Sequence, residues 1–444
     1  MASCYFYMAF LPIYILILGF TILVDYLAGI YIEKSFGKRK LFFLIASLIA
    51  NIGVLAFFKY YNFLNDSVSV FMGYFGYDSV IPKLEILLPI GLSFHTFQAM
   101  SYTIEVYRGQ QKAERNFGIY ALYVMFYPQL VAGPIERPQN LLYQFYQKHS
   151  FDFKRIVEGL KLMIFGFFMK LVIADRLALY VDSAYNNVSE HSGLTFIFST
   201  IFFSFQIYGD FAGYSLIAIG SARVMGFKLM TNFNRPYFSR SISEFWKRWH
   251  ISLSTWFKDY LYISMGGNRV SAAKWYFNLI SVFTISGLWH GANWTFIIWG
   301  ALNGFYLVFA VFSKKIRMAI SHYFMMERFP RINNSIQVFI TFTLICFAWI
   351  FFRANSVTDA ILIIKKILFQ TNSLYIGDIY QFVLSIIAII ILIGIELFQE
   401  AKTKKIFSIQ PSDWFSESFI YIILIVLILL IGVFDGGQFI YFQF

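Results

Sequence analysis

Charge is scarce in this chain. Only 14% of its 444 residues are Asp, Glu, Lys or Arg, against about 25% in an average soluble domain. With 59% hydrophobic residues, the shortage excludes a soluble globular enzyme, a disordered protein and a collagen-like fibre. Cysteine is nearly absent: Cys4 and Cys346 lie far apart in apolar surroundings, say nothing of redox compartment and form no metal-site spacing. The first apolar run, Phe6–Val24, lacks a preceding basic region and a small-residue cleavage site, so it reads as a retained span and not as a signal peptide. Tandem or inverted repeats, heptad arrays and low-complexity tracts are also missing. So are a phosphate-binding or dinucleotide-binding glycine loop and a Gly-x-Ser-x-Gly nucleophile elbow.

What remains is apolar and aromatic. Mean hydropathy is +0.63, and 55 Phe, 30 Tyr and 9 Trp make 21% of the chain aromatic, which predicts interfacial anchors and bulky packing. A membrane-crossing helix needs about 20 mostly apolar residues. Candidate spans are 6–30, 41–62, 86–107, 156–180, 194–222, 334–352, 380–398 and 417–435, and the apolar stretch 276–312 should form two crossings or a crossing and a broken helix. Segment 118–136 is apolar but interrupted by Pro128, Gly133 and Pro134. It reads as a re-entrant or broken element, tolerated at membrane depth only when buried in protein or lining a cavity.

The net charge of +12 is an asymmetry between loops. Basic stretches at 33–40, 108–115, 223–248, 314–331 and 400–405 alternate with 62–85, 182–193 and 371–379, which hold one lysine among them. The excess of Lys and Arg on the cytoplasmic side places the N-terminus and the tail after Asp435 outside. Arg353, Lys365 and Lys366 break this alternation, and segment 357–370 is expected to lie as an amphipathic helix along a membrane surface. The partner implied by the charge is the lipid bilayer and not nucleic acid. The organisation is a single membrane domain, 1–444, containing a cytoplasmic interfacial or re-entrant motif at 223–274.

That motif concentrates Arg240, Lys247, Arg248, Lys258 and Arg269 among Trp246, Trp249, Trp256, Tyr260 and Tyr262. Ser241 and Glu244 have capping-box spacing, so a helix should start there. Interfacial anchoring explains such a composition equally well. Of six histidines, His149, His191 and His322 fall in polar loops and should be solvated, and packing is the default role of His95. His250 lies within the aromatic segment, and His290 lies mid-way along a hydrophobic stretch, flanked by Gly287 and Gly291. An ionisable group at such a depth is a functional-site hypothesis by default, with a hydrogen-bonded core histidine as its plain rival. His250 and His290 lack metal-motif spacing. A lone imidazole suits general-base removal of a proton from an alcohol that attacks an activated acyl group, and the neighbouring basic and aromatic residues, Arg248 and Trp246 among them, suit a phosphorylated thioester donor. Asp210 is a further buried acid that pairs with a base or caps a broken helix; the structural role outweighs the catalytic one, and it stays among the substrate-side candidates. Gly209 and Gly213 beside it form a small-xxx-small pair.

Phe126–Pro138 (FYPQLVAGPIERP), Asp210–Tyr214 (DFAGY), Asn232–Phe238 (NFNRPYF), Phe245–Trp256 (FWKRWHISLSTW), Gly287–Trp294 (GLWHGANW) and the closing Phe439–Phe444 (FIYFQF) occur in this order over most of the chain. In them the sequence resembles the membrane-bound O-acyltransferase family, in its bacterial alginate O-acetyltransferase-like branch. The family usually opens with a further apolar stretch, so the start here looks short. His95 stands where relatives more often carry Tyr, which argues against an essential role. The resemblance implies an all-α polytopic membrane protein, with about 10–11 transmembrane helices plus re-entrant or interfacial helices in a ring around a thin central site. It implies that His290 is the catalytic histidine, taking the proton of the acceptor hydroxyl, and that His250 is the second motif histidine, positioning or polarising the donor. Trp289 and Asn293 would shape the passage.

The function expected is transfer of an acetyl group from a cytoplasmic thioester donor across the bacterial inner membrane, for O-acetylation of a cell-surface or exported polysaccharide. The donor would be acetyl-CoA or another phosphopantetheine thioester, with no bound cofactor or metal, and a periplasmic acyl-accepting transferase would complete the transfer. One alternative is a D-alanyl transferase of the teichoic-acid type using an acyl-carrier protein thioester. Another, of a different class, is a transporter or flippase built on broken helices.

Overall fold

The computed structural model describes residues 1–9, 11–77, 81–85, 88–131, 133–401, 414–434 and 439. The expected basic loop 400–405 and the closing motif lie mostly outside the described residues. The chain forms α1 (Ala2–Met8), α2 (Tyr14–Lys34), α3 (Gly37–Leu55), α4 (Tyr61–Gly73), α5 (Leu92–Tyr107), α6 (Phe117–Met125), α7 (Tyr127–Leu130), α8 (Pro138–Leu141), α9 (Phe153–Phe167) and α10 (Asp175–Tyr185). It continues through α11 (Gly193–Met225), α12 (Ile242–Arg248), α13 (Ile251–Trp256), α14 (Ala272–His290), α15 (Trp294–Phe312), α16 (Lys314–Tyr323), α17 (Pro330–Arg353), α18 (Val357–Phe369), α19 (Ile379–Ala401) and α20 (Trp414–Ile431). No strand occurs among the described residues.

Among the described residues, six helical stretches are long and apolar enough to cross a membrane: Tyr14–Lys34, Gly37–Gly73, Gly193–Met225, Trp294–Phe312, Pro330–Arg353 and Ile379–Ala401. Several expected spans are helices of a more polar kind. Thus α5 buries Ser93, His95, Thr96, Gln98, Ser101, Thr103 and Glu105. The stretch 276–312 forms two helices, α14 and α15, of which α15 is one of the six. The first apolar run is not one helix: the chain turns between α1 and α2, at Pro12, because proline has no N–H for a helix ladder and its ring clashes with the preceding turn.

Two compact units can be distinguished, Met1–Leu160 with Ala218–Met230, and Lys161–Ile217 with Thr231–Phe444. In the first, α2, α3 and α5 pack together around a buried polar knot. The Asp25 carboxylate accepts from Ser47 Oγ at 2.6 Å and from Asn51 Nδ2 at 2.9 Å. The expected broken element is α6, α7 and an irregular strap to α8, and protein buries it. Tyr123 Oη donates to the Glu136 carbonyl at 2.9 Å, Gln98 Nε2 donates to the Tyr123 carbonyl at 2.6 Å, and the Glu136 carboxylate accepts from the Met230 amide. The first two bonds satisfy carbonyls of the broken element, and the third ties it to the segment after α11.

In the second unit α11 lies close to the helix 161–174. An ideal Cβ at Gly213 would stand 2.8 Å from the Gly166 carbonyl, and one at Gly209 would stand 2.9 Å from the Met169 carbonyl, so both small residues serve close approach. α18 forms where an amphipathic helix was expected, with Ser356 Oγ accepting from the Asp359 amide at 3.0 Å. Two of the three cations that break the loop alternation are held within this unit. Arg353 pairs with Asp182 at 2.6 Å. Lys366 Nζ donates to the carbonyls of Val188, Ser189 and His191 at 2.7, 2.9 and 2.7 Å. Lys366→Met therefore strips three carbonyls of one shared donor. It should cost about 1.5–3 kcal/mol, the range for hydrogen bonds to a charged group, read as a lower thermal unfolding midpoint in detergent. An unchanged midpoint would show the ammonium to be dispensable there.

Candidate active site

The segment from Asn232 to Trp256 is a pair of short helices pinned to an extended strap. The expected cap is present: Ser241 Oγ accepts from the Glu244 amide at 3.2 Å, and the Glu244 carboxylate accepts from the Arg240 amide at 2.9 Å. The strap and the bend between the helices pair through backbone, Asn234 N–H to Arg248 O at 2.9 Å and Ile251 N–H to Asn232 O at 2.8 Å. Within this frame Arg235 and His250 both have left-handed backbone, with φ of 45° and 44°. Such geometry is uncommon outside glycine and persists where surroundings enforce it. At His250 it separates α12 from α13 and turns the imidazole into a ring cage. Phe211 meets it edge-on at 4.6 Å between centroids, Phe233 stacks at 6.2 Å, and Trp289 lies at 6.3 Å. His250 is 1% exposed. Burial pushes its pKa down to about 3, so it is neutral.

His290 arrives from a different element. It is the last residue of α14, whose approach to α15 needs glycine. A Cβ on Gly287 would collide with the Phe296 carbonyl and stand 3.1 Å from Gly300 Cα. A Cβ on Gly291 would run into the Phe296 ring. The glycines flanking His290 thus bring helices together, and the helix ends between them. Its imidazole meets Trp289 at 4.9 Å, Trp299 at 5.1 Å and Phe352 at 5.5 Å, all edge-on. Forty residues apart in sequence, His250 and His290 both neighbour the Trp289 indole. Just after it, Asn293 caps α15 through the Thr295 amide at 3.0 Å and donates to the Asn355 carbonyl at 3.2 Å.

The remaining expected residues sit further out. Trp246 contacts Phe283 at 5.1 Å and Trp299 at 5.8 Å, one ring removed from His290. Arg248 is held by Glu244 at 2.7 Å and Glu400 at 3.0 Å, and Glu400 also takes Arg235 at 2.7 Å. Asp210 pairs with Lys170 at 2.7 Å, as one of its two structural readings expected. His95 lies in the other unit, where its Nε2 is 3.3 Å from the Ile90 carbonyl. His149 and His191 are half-buried and not simply solvated: His149 Nε2 is 3.0 Å from the Gln144 carbonyl, and His191 packs on Tyr375 at 4.5 Å. Sequence reasoning missed Asn232, Lys170 and Glu400. Only Asn232 left a signal, as the first residue of the Asn232–Phe238 motif. Among the described residues no three His, Cys, Asp or Glu side chains converge as metal ligands.

Comparison with known proteins adds the lineage. The protein named "Probable alginate O-acetylase AlgI" of Pseudomonas aeruginosa is 42% identical over 318 residues, 71% of this chain and 58% of that protein. The peptidoglycan O-acetyltransferase of Helicobacter pylori is 36% identical over 394 residues, 82% of this chain and 72% of its own length. The teichoic acid D-alanyltransferase of Bacillus subtilis is 26% identical over 289 residues, 62% and 71% of the two chains. Against the alginate O-acetylases of Pseudomonas aeruginosa and Azotobacter vinelandii, the chain spans about six-tenths of the relative's length. Residues 113–354, which include His250 and His290, match the model of the membrane-bound O-acyltransferase family. With this match and six membrane-crossing candidates, the chain is a multi-pass membrane protein belonging to the membrane-bound O-acyltransferase family.

Proposed function

We propose that the protein is an O-acyltransferase of the inner membrane, and that it moves an acetyl group from a cytoplasmic thioester donor to the far side for O-acetylation of a cell-surface or exported polysaccharide. One observation carries the reading: two buried histidines from separate elements meet on the Trp289 indole inside the family-matched region. The acetylases among the relatives, at 36–42% identity, support acetyl over D-alanyl.

In this reading the acceptor oxygen attacks the thioester carbonyl carbon while His290 takes the acceptor proton. The carbon–sulfur bond breaks, and the departing thiolate receives a proton. His290 is a general base, worth about 10²–10⁴ in rate. The ring cage around both imidazoles keeps water from the thioester. The donor is acetyl-CoA or another phosphopantetheine thioester. Trp246 and Arg248 line the approach of its phosphate-bearing end, Asn293 and Trp289 shape the passage, and a periplasmic acyl-accepting transferase completes delivery to the glycan.

The test uses membrane vesicles from cells making the protein, supplied with acetyl-labelled coenzyme A. Base-labile labelled acetate on envelope material, absent from vesicles lacking the protein, is the expected result. Label transfer only from a D-alanyl carrier protein would replace acetyl by D-alanyl. Solute movement with no acyl turnover from either donor would overturn the enzyme reading in favour of a transporter.

A further inference from the structure

Asn232 is 1% exposed and stands at the centre of a small polar knot that the aromatic cage encloses. Its Oδ1 lies 3.1 Å from the Ser252 backbone nitrogen, 2.9 Å from Ser252 Oγ and 3.2 Å from His250 Nδ1. Its Nδ2 donates to Ser215 Oγ on α11 at 3.1 Å. Its own carbonyl receives the Ile251 amide at 2.8 Å. One side chain therefore ties α11 to the bend that carries His250.

The contacts also fix protons. A peptide N–H can only donate, so the atom facing the Ser252 amide is the oxygen of the Asn232 carboxamide, not its nitrogen. That oxygen carries no proton. His250 Nδ1, beside it, must supply the hydrogen of their bond. A neutral imidazole has one N–H, so its lone pair is then on Nε2. Ser252 Oγ, 3.5 Å from the same Nδ1, points its hydroxyl at Asn232 and leaves this arrangement intact.

We infer that Asn232 is a positioning residue that locks His250 in the Nδ1–H tautomer, so that His250 meets the substrate through Nε2 as a hydrogen-bond and proton acceptor. The inference rests on the reading of His250 as part of the acyltransferase site, and it sharpens that reading. Polarising a thioester carbonyl would need an N–H at Nε2. With the proton fixed at Nδ1, His250 instead accepts from a hydroxyl, thiol or amide N–H of donor or acceptor. The three rings described around His250 do not compete for this role. Phe211, Phe233 and Trp289 are not titratable, and three charged groups near them in the chain are held in ion pairs: Asp210 with Lys170, Arg235 with Glu400, and Arg248 with Glu244 and Glu400. His290 is a further titratable group, adjacent to Trp289.

Three measurements on the full-length protein test it. In wild-type protein with nitrogen-15 histidine, assigned by difference from His250→Gln, Nδ1 of His250 should give the protonated-type resonance and Nε2 the lone-pair type; the reverse assignment overturns the proposal. Asn232→Ala should lower kcat about 10- to 100-fold with KM nearly unchanged, the scale for losing a residue that orients a functional histidine. Asn232→Asp should restore most of kcat and move the acid limb of the pH profile upward, because a carboxylate beside Nδ1–H favours imidazolium. A wild-type kcat in Asn232→Ala, or an unmoved acid limb in active Asn232→Asp, overturns the role of Asn232. The reading beneath it fails separately, by wild-type kcat in His250→Ala. If Asn232→Ala does not fold, the wild-type resonances and the Asp variant still decide.

Discussion

Replacing His290 with alanine should lower acyl transfer by about 10²–10⁴-fold, the contribution of a positioned general base, while the protein still accumulates in the membrane. The separation of activity from folding follows from how the residue is placed. The join of α14 to α15 is made by backbone approach at Gly287, Gly300 and Gly304, not by the imidazole. His290 contributes ring edges to Trp289, Trp299 and Phe352, and those rings also have each other: Trp299 stacks on Trp349 at 5.6 Å and meets Phe352 at 5.0 Å. Removing the imidazole leaves a gap in a cage that other contacts hold. His290→Gln, closer in size, should be as inactive as the alanine variant, because an amide cannot act as a base near neutral pH. The measurement is the initial rate of labelled acetyl transfer in vesicles at saturating donor, normalised to protein amount. A rate within threefold of wild type would remove His290 from the chemistry. His250→Ala should fall in the same assay, and the double variant should be little worse than the poorer single one if the two act in one step, since residues acting as a unit are not additive.

Local pattern was legible in the sequence. The break at Pro128 to Pro134, the cap at Ser241 and the amphipathic 357–370 depend on neighbours in the chain, and each reappears in the fold. Some expected spans are less apolar than the six long helices among the described residues, for a physical reason. An apolar window does not distinguish a helix facing lipid from one buried in protein, and α5, with seven buried polar or charged side chains, is of the second kind. Within the site, His250 and His290 stood out because histidine is costly among apolar residues. Their convergence on Trp289 could not be read, because nothing in the spacing between residues 250 and 289 says that they touch. The fate of the cations was hidden in the same way. Arg248 is silent about Glu400, its partner 152 residues on, and Lys366 is silent about the three carbonyls near residue 190.

Lys170 is the strongest case of this blindness, and Lys170→Met is the substitution expected to damage the fold most. Lys170 sits in a wide π-type turn, Phe168–Ala174, between α9 and α10, and such insertions re-aim side chains within a helix. Here the ammonium is brought between two carboxylates, 2.8 Å from Asp175 and 2.7 Å from Asp210, with side-chain exposures of 10%, 7% and 4%. The Tyr214 ring lies 5.5 Å away. Methionine fills a similar volume but leaves two carboxylates facing each other without a cation. Breaking a buried ion pair in this way costs about 3–5 kcal/mol, a large share of the roughly 5–15 kcal/mol that holds a folded domain. The variant should therefore show a much lower unfolding midpoint in detergent or fail to accumulate. The combination Lys170→Met, Asp175→Asn and Asp210→Asn removes every charge of the triad, and replacing a buried ion network by neutral groups is often nearly neutral in stability. It should recover most of the lost midpoint. Failure to recover would mean that the charges themselves, and not their balance, are needed for the fold. The same variant separates the two readings of Asp210. Transfer activity in the recovered protein assigns Asp210 to the scaffold that carries Phe211 against His250, and loss of activity with the midpoint restored returns Asp210 to the substrate side.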